Sequence, residues 1–411
     1  MYDKFPLGFW NYARPSEYGV ETVKDWADCG MTLTMTPSFY ENDSKEDMLA
    51  IMDEAHKRGI KLIVRDNRVS VQGLDEIPQD YKERFIQSYT DFGTHPATVG
   101  FHIGDEPRGK QFFPYIDAYK IQKEVAPELS PFINFLPFFE SMGKDIWYKD
   151  SFSEWAEWFI KETNLEYLCY DCYTQMNPGE DGINTYYMDL RLYNDAAKKA
   201  GIPFWTTLLS VGHFVYRVPT EDDFRWQVYS SVVSGCKGLL FFYFYMRGIS
   251  KNYRLAPIDE HNERTETYRA LSRTLKTFEM CYGDIMLRLQ HDNTYHFLKA
   301  YGGYELFEEK ERPYIKNIKS EHNLPAVISY FTDTNGDKYI ALLNNSQREP
   351  GLFTLKFDNS VKEVWKTGWM GKQFNLAKNH HDIPFSDDGG LFVGAWLAPG
   401  QMELLRLVFD K

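Results

Sequence analysis

Short apolar runs alternate with amphipathic stretches through the first 282 residues of this 411-residue chain. Residues 17–29 have helical periodicity and end at Gly30, a natural helix C-cap, and Ser44 is placed as an N-cap before residues 45–58. This pattern predicts eight strand–helix units, which make an α/β fold of the (β/α)8 or TIM-barrel type. The predicted strands are residues 5–12, 31–37, 60–65, 99–107, 131–136, 166–171, 204–209 and 237–245.

The pattern changes after Tyr282. The later segments are short and alternating, and they are bounded by turn sequences such as residues 334–337, Thr-Asn-Gly-Asp. Residues 339–343 and 403–408 are apolar runs typical of the strands of a β-sandwich. We therefore predict two domains, a (β/α)8 barrel over residues 1–282 and an antiparallel β-sandwich over residues 283–411.

The fourth predicted strand ends in two adjacent carboxylates, Asp105 and Glu106, which are followed by Pro107. Because proline cannot continue a β-ladder, the two acids are predicted at the C-terminal tip of the strand. Side chains alternate along a strand, so Asp105 and Glu106 point to opposite sides unless the ladder ends or bulges there. Two carboxylates are costly to desolvate, so a pair at this position indicates chemistry rather than packing.

Active sites of (β/α)8 barrels lie at the C-terminal ends of the strands, so the residues found there form a candidate site. Cleavage of a glycosidic bond needs one carboxylic acid to protonate the leaving oxygen and a second group to stabilise or attack the anomeric carbon. We predict Glu106 as the general acid and Asp171 or Asp105 as the second carboxylate. The candidate substrate-binding residues at the other strand ends are Trp10, Asn11, Arg65, Tyr170, Tyr173, Trp205, His213 and Tyr243.

The aromatic candidates and Arg65 each have a second possible role. The aromatic side chains are equally compatible with sugar-binding platforms and with the core of the barrel. Arg65 is predicted either to bind a hydroxyl or carboxylate of the substrate or to form an ion pair with an acid at the rim.

Composition and charge narrow the classes of partner. A net charge of −13 argues against nucleic acid and anionic membranes, and no run of about 18 apolar residues predicts a membrane span. Aromatic residues make up 17% of the chain, which suits stacking on sugar rings. The predicted partner is therefore an oligosaccharide or glycoside, and the pattern leaves the oligomeric state open.

The cysteines and the N-terminus bear on disulfide bonding, metal binding and export. The five cysteines are scattered, which argues against a disulfide scaffold, and Cys169 and Cys172 face opposite sides of a predicted strand. We predict buried thiols, no metal and no cofactor. Residues 1–6 lack a signal-peptide pattern, which fits a cytoplasmic protein or an exported one whose signal has been removed.

Two stretches resemble glycoside hydrolases that have a (β/α)8 barrel and a C-terminal β domain. Residues 104–107, Gly-Asp-Glu-Pro, resemble the Asn-Glu-Pro that ends strand four in clan A enzymes, where the Glu is the acid/base. Residues 234–242, containing Gly-Cys-Lys-Gly, are similar to the start of strand eight in family 42 β-galactosidase-like proteins. Clan A enzymes place their nucleophile Glu at the end of strand seven, but residues 204–210 contain no carboxylate. Glu221 and Asp222, which come next, are typical of the start of a helix.

A second resemblance implies a different mechanism. Residues 102–106, His-Ile-Gly-Asp-Glu, are similar to the His-x-Gly-Gly-Asp-Glu signature of family 20 hexosaminidases with one glycine missing, and the Asp-Glu-Pro ending resembles family 123. Residues 168–171, Leu-Cys-Tyr-Asp, resemble the strand-six Met-x-Tyr-Asp of family 18. These likenesses imply that Asp105 orients a substrate acetamido group that acts as an internal nucleophile, while Glu106 is the acid.

The sequence is therefore compatible with three functions. The main prediction is a glycoside hydrolase that uses two of its own carboxylates. The first alternative is a substrate-assisted N-acetylhexosaminidase that uses Asp105 and Glu106. The second alternative is a non-catalytic carbohydrate-binding barrel that has lost one acid, and a carboxylate close to Glu106 argues against it.

Overall fold

Eight parallel strands form the first part of the fold, as the sequence predicts. The computed structural model describes residues 2–179, 182–247, 252–367, 374–377 and 390–410. The barrel strands are β1 (Leu7–Phe9), β2 (Leu33–Phe39), β3 (Lys61–Asp66), β4 (Thr98–Asp105), β5 (Phe132–Asn134), β6 (Leu168–Asp171), β7 (Phe204–Leu209) and β8 (Leu239–Phe242). They pair in the orders β1-β8-β7-β6 and β2-β3-β4-β5.

Two seams join these groups and close the barrel. At the seam between β1 and β2, the Thr32 amide donates to the Leu7 carbonyl over 2.9 Å. A Cβ atom on Gly8 would lie 1.9 Å from the Leu33 carbonyl oxygen, so only glycine permits this approach. At the seam between β5 and β6, the Phe135 amide donates to the Cys169 carbonyl over 2.7 Å. The α/β barrel prediction is therefore confirmed.

The helices alternate with the strands. The predicted caps are present, since the Ser44 hydroxyl accepts from the Asp47 amide over 3.1 Å and Gly30 has a φ of 96°. No helix of the described ranges is both long and apolar enough to cross a membrane. The helices are α1 (Val23–Cys29), α2 (Lys45–Lys57), α3 (Tyr81–Ser88), α4 (Phe112–Val125), α5 (Lys144–Trp147), α6 (Phe152–Thr163), α7 (Ile183–Ala200), α8 (Glu221–Val233) and α9 (Glu266–Phe278).

The C-terminal part is an antiparallel β-sandwich preceded by a short helix, α10 (Asp284–Arg288). Its strands are β9 (Gln290–Phe297), β10 (Ile315–Ser320), β11 (Ala326–Thr332), β12 (Lys338–Asn344), β13 (Gly351–Phe357), β14 (Val361–Thr367), β15 (Phe374–Leu376), β16 (Phe392–Leu397) and β17 (Met402–Phe409). They form a six-stranded sheet, β15-β14-β17-β12-β11-β9, and a three-stranded sheet, β10-β13-β16. Apolar side chains of both sheets, among them Ile340, Phe353 and Leu405, share one core. The sandwich prediction is confirmed.

The chain divides into two compact units. One consists of Pro6–Val218 and Lys237–Ser272, and the other of Met1–Phe5, Pro219–Cys236 and Arg273–Lys411. Helix α8 therefore groups with the sandwich. The reason is a direct contact within that unit, in which the buried Trp226 indole donates to Asn345 Oδ1 over 2.9 Å. The domain boundary at residue 282 stays a prediction.

Candidate active site

Two aspartates at the ends of barrel strands share one amide nitrogen. Asp105 is the last residue of β4 and Asp171 the last residue of β6, and β5 runs between these strands. From β5, Asn134 Nδ2 donates to Asp105 Oδ1 over 3.0 Å and to Asp171 Oδ1 over 2.7 Å. The amide thus uses both of its N–H bonds to hold two carboxylates at the C-terminal end of the barrel.

Glu106 joins this pair because the strand ends before it. Its φ of 46° lies in the left-handed region, and its amide donates to the Asn134 carbonyl over 2.9 Å. The pairing of β4 with β5 also shifts register between His102 and Gly104. Strict alternation therefore does not apply at the strand tip. The half-exposed carboxylate of Glu106 lies 3.2 Å from Arg108 Nη2.

Burial and mutual repulsion raise the pKa values of both aspartates. Burial, together with the negative charge of Glu106, raises the pKa of Asp105 to about 7, and the hydrogen bond from Asn134 opposes this rise. Burial raises the pKa of Asp171 well above its usual range, and the charges of Glu106 and Asp105 add to the effect. Asp105 and Asp171 are therefore harder to ionise than isolated aspartates, and together with Glu106, whose charge acts on both, they form the acid cluster of this site.

A chain of hydrogen bonds supports the bridging amide from inside the barrel. The Trp10 indole donates to Thr207 Oγ1 over 3.2 Å, and Thr207 Oγ1 donates to Asn134 Oδ1 over 3.3 Å. Trp10 is only 2% exposed and its ring meets His102 edge-on at 5.3 Å. The structure therefore places Trp10 beneath the acid cluster as a positioning residue, where a sugar ring has no surface to contact.

Aromatic side chains line one flank of the acid cluster. A hydrogen bond from Tyr173 lowers the pKa of Asp171 against the effect of burial. The Tyr173 ring lies 6.1 Å from the ring of His213, which burial holds neutral by lowering its pKa. Phe214 follows and is 55% exposed. The structure thus brings Tyr173 and His213 together beside the acids and adds Phe214, an exposed apolar side chain that the sequence pattern gave no reason to select.

Two cations form a second flank of the candidate site around Tyr12, and the Phe242 ring contacts both Tyr12 and Tyr173. Arg65 Cζ lies 4.6 Å and Arg247 Cζ 4.0 Å from the centre of the Tyr12 ring. The rings of Tyr12 and Tyr243 meet at 6.0 Å. Burial raises the pKa of Tyr12 far above its usual value, and the charge of Asp105 adds to this rise, so Tyr12 lies within electrostatic reach of the acids.

Asn11 is buried beside this flank as a structural element. Its side-chain Oδ1 accepts from the Ala13 amide over 3.1 Å, and its backbone carbonyl accepts from Arg65 Nη1. Asn11 is 1% exposed and its carbonyl positions Arg65, while its buried side-chain Nδ2 has no hydrogen-bond partner among the residues that the structure describes.

The structure corrects the sequence prediction for Tyr170 and Trp205. Tyr170 is fully buried and stacks at 3.9 Å on Tyr193 of α7, because it precedes Asp171 by one residue and so points outward from the strand. Trp205 is 1% exposed and stacks at 4.5 Å on Tyr167, because it is the second residue of β7 and lies far from that strand's end. Neither side chain can contact a substrate at the barrel mouth.

Other sequence features have structural roles. Cys169 Sγ lies 3.6 Å from Asn134 Oδ1 and Cys172 Sγ lies 3.5 Å from Thr174 Oγ1, so the two thiols are buried, as predicted, and have different partners. Among the residues that the structure describes, no group of His, Cys, Asp or Glu is arranged to hold a metal ion. Glu221 belongs to the first turn of α8 and pairs with Arg273 at 2.7 Å.

Sequence reasoning missed Tyr12, Asn134 and Thr207. Tyr12 is the last residue of the predicted first strand and lies two residues beyond Trp10, so the alternation already placed it on the same face as Trp10. Asn134 ends β5, which the sequence pattern extended past that residue. Thr207 lies in mid-strand and carried no signal.

Solved structures share this two-part fold at low sequence identity. A β-galactosidase from Bacillus circulans sp. alkalophilus is 9% identical, with 99% of each chain covered and a TM-score of 0.64. A glycoside hydrolase family 5 protein from Bacteroides vulgatus ATCC 8482 is 14% identical, with 98% of this chain and 89% of that chain covered and a TM-score of 0.58. No family model and no curated protein matches the chain.

A third likeness is partial. A β-galactosidase from the psychrophilic Marinomonas ef1 is 10% identical with a TM-score of 0.50, and the match covers 67% of this chain and 60% of that one. The chain thus spans about 60% of the length of that relative. Together the likenesses confirm that the fold is one found in glycoside hydrolases, and membership of family 42 stays a prediction.

Proposed function

We propose that this protein is a glycoside hydrolase whose active site is the acid cluster of Asp105, Glu106 and Asp171. The main support for the proposal is that Asn134 Nδ2 donates hydrogen bonds to both Asp105 and Asp171. Both carboxylates therefore lie within 3.0 Å of one nitrogen atom. Holding two carboxylates together against their repulsion costs free energy that the barrel does not need for stability. A glycosidase needs this arrangement to supply both a proton and a negative charge to one bond.

Each carboxylate has a proposed role. Glu106 is the general acid, because its half-exposed side chain at the tip of β4 can reach the leaving oxygen. Asp171 is the second carboxylate, which stabilises or attacks the anomeric carbon or activates a water. The residue paired with Asp171 on β7 is Thr207, so strand seven supplies no acid there. Asp105 holds the Asn134 amide in place.

The substrate-assisted scheme is the second candidate, and the same Thr207 position favours it. In that scheme Asp105 accepts a hydrogen bond from a substrate acetamido N–H, and the acetamido oxygen attacks the anomeric carbon. The non-catalytic barrel has less support, since the charge of Glu106 acts on two neighbouring carboxylates and Glu106 does not stand alone.

The test is hydrolysis of chromogenic glycosides by the wild-type protein and by Glu106→Gln. We expect turnover of at least one glycoside and a loss of about 10²- to 10⁴-fold in kcat in the variant, with folding and sugar binding preserved. Glu83→Gln, at an exposed site on α3, is the matched control and should keep full activity. Near-normal turnover by Glu106→Gln would remove Glu106 from the mechanism.

Paired substrates separate the two schemes. A glucoside and the corresponding N-acetylglucosaminide differ only at the 2-position. Cleavage of both, with a large loss in Asp171→Asn, supports the two-carboxylate scheme. Cleavage restricted to the acetamido sugar supports the substrate-assisted one.

A further inference from the structure

Two arginines at the barrel mouth share one aromatic ring. Arg65, on β3, and Arg247, after β8, both lie within 4.6 Å of the centre of the Tyr12 ring. The positive charge of Arg247 acts on Arg65, which shows that the two guanidinium groups lie within electrostatic reach of each other. Like charges repel, so this pairing on one ring destabilises the empty site unless an anion lies between or beside them.

The charge of Asp105 acts on Arg65 from a distance, but within the described ranges no protein carboxylate forms a direct ion pair with either arginine. There, neither Arg65 nor Arg247 lies within the 4.0 Å of a carboxylate that defines an ion pair. Arg65 is half-buried, and the acceptor that it meets is the Asn11 backbone carbonyl. A guanidinium group carries five N–H donors, so most of those on Arg65 are available to a ligand.

Other arginines around the barrel behave differently. Arg68, on the segment that follows β3, is paired with Asp66 at 2.6 Å and with Asp91 at 2.8 Å. Arg264, before α9, is paired with Asp28 at 2.7 Å. Arg68 and Arg264 thus pair with aspartates, whereas the structure describes no such ion pair for the two arginines on Tyr12.

We propose that Tyr12, Arg65 and Arg247 bind an anionic substituent of the sugar, a carboxylate or a sulfate, so that the substrate is an acidic glycoside. This inference rests on the proposed function, because it places the anion at the mouth of the same barrel as the carboxylate that protonates the leaving oxygen. Guanidinium groups bind carboxylate and sulfate oxygens through two parallel N–H bonds. A protein with a net charge of −13 repels an anionic substrate overall, so a local pair of cations is needed to admit it.

The experiment compares matched neutral and anionic glycosides. The 4-nitrophenyl glucuronides and galacturonides, in both anomeric forms, are set against the glucosides, the galactosides and their 6-sulfates. We expect kcat/KM to be about 10- to 100-fold higher for an anionic glycoside than for its neutral counterpart. The comparison of uronide with 6-sulfate identifies which anion the site takes.

Substitutions of the two arginines test whether they cause the preference for anionic glycosides. Arg65→Gln and Arg247→Gln should each lower the anionic-to-neutral ratio of kcat/KM by about 10-fold or more, and Arg65→Lys should restore part of it. Arg247 is exposed, so Arg247→Gln keeps the test valid even if the Arg65 variants fold poorly. Arg84→Gln, exposed on α3, is the control and should leave the ratio unchanged.

Binding measurements separate failure of this inference from failure of the proposed function. Calorimetry with Glu106→Gln uses glucuronate, galacturonate and the sugar 6-sulfates against the neutral sugars. If an anionic sugar binds more tightly than its neutral counterpart and Arg247→Gln abolishes this difference, the anion-binding site is supported. This holds even if no glycoside is hydrolysed, because the absence of hydrolysis would overturn only the proposed function. Hydrolysis of neutral glycosides with no preference for anions, in binding or in turnover, would overturn the inference and leave the proposed function standing.

Discussion

At the scale of single residues, the electrostatics of the candidate site depend on a neutral amide. Asn134 neutralises no charge, yet it donates to two carboxylates and accepts from Thr207. Hydrogen bonds to the ionised form of an acid favour that form, so the amide limits how far burial raises the pKa values of Asp105 and Asp171. It thereby adjusts the acids without adding a formal charge to the site.

Replacing this amide should change the pH dependence of activity. In Asn134→Ala both aspartates lose a donor, so their pKa values rise further and the acidic limb of the kcat/KM profile moves to higher pH. The measurement is a pH–rate profile on the best glycoside of the panel. If Asn134→Ala lowered kcat/KM by the same factor at every pH and left the acidic limb in place, this role of Asn134 would be contradicted. Asn317→Ala, exposed on β10, is the control.

At the scale of elements, one of the two seams that close the barrel depends on a close approach of two backbones. Gly8 lets β1 approach the backbone of β2, and Phe9 then donates to Thr34 Oγ1 over 3.1 Å. This seam positions the chain that continues from β1 into Trp10 and Tyr12. Because Trp10 and Tyr12 belong to the candidate site, a displacement of β1 at this seam also displaces residues of the site.

Gly8→Ala should therefore be strongly destabilising. The added methyl group would lie 1.9 Å from the Leu33 carbonyl oxygen, so the strands must separate, at a cost of about 1–3 kcal/mol or more. Denaturant unfolding measures the loss. Gly143→Ala is the matched control, since its Cβ would meet nothing within 4 Å and its φ is −94°. Equal stability of the two variants would show that the seam tolerates separation.

At the scale of the whole molecule, each compact unit contains a carboxyl group that titrates near neutral pH. In the barrel unit this is Asp105. In the sandwich unit it is Glu403 on β17, whose pKa burial raises to about 7 and whose Oε1 accepts from Thr367 over 3.3 Å. In the unfolded chain such groups titrate near pH 4. Between these values each of these two carboxyl groups binds more protons in the folded protein than in the unfolded chain.

The stability contributed by Asp105 and Glu403 should therefore fall as pH rises from about 4 to about 7. The buried His102, His213 and His296, whose pKa values burial lowers, contribute in the opposite sense below about pH 6.5. The contribution of each raised acid is fully present below its unfolded pKa and is lost as pH passes through its folded pKa. Calorimetry over this range measures the fall in Tm, about 2–4 °C for each kcal/mol lost. Glu403→Gln should flatten the slope, and Glu311→Gln, at an exposed site, should not. An unchanged slope in Glu403→Gln would contradict the assignment.

The sequence by itself determined the parts of this protein that depend on local pattern. Hydrophobic periodicity specified eight strand–helix units and the sandwich, because each element buries a face that its own residues define. Helix caps such as Ser44 were predictable because cap and helix are neighbours in the chain. The positions of Asp105 and Glu106 at the tip of β4 followed from Pro107 for the same reason.

Only the tertiary structure decided how those residues meet. Trp10 and Thr207 are 197 residues apart and Asn134 and Asp171 are 37 apart, so their hydrogen bonds exist only once the barrel closes. The left-handed conformation of Glu106 arises where β4 ends against the Asn134 carbonyl, and no local pattern encodes it. Strand periodicity assigns a side chain to a face, whereas its partners are set by which strands become neighbours.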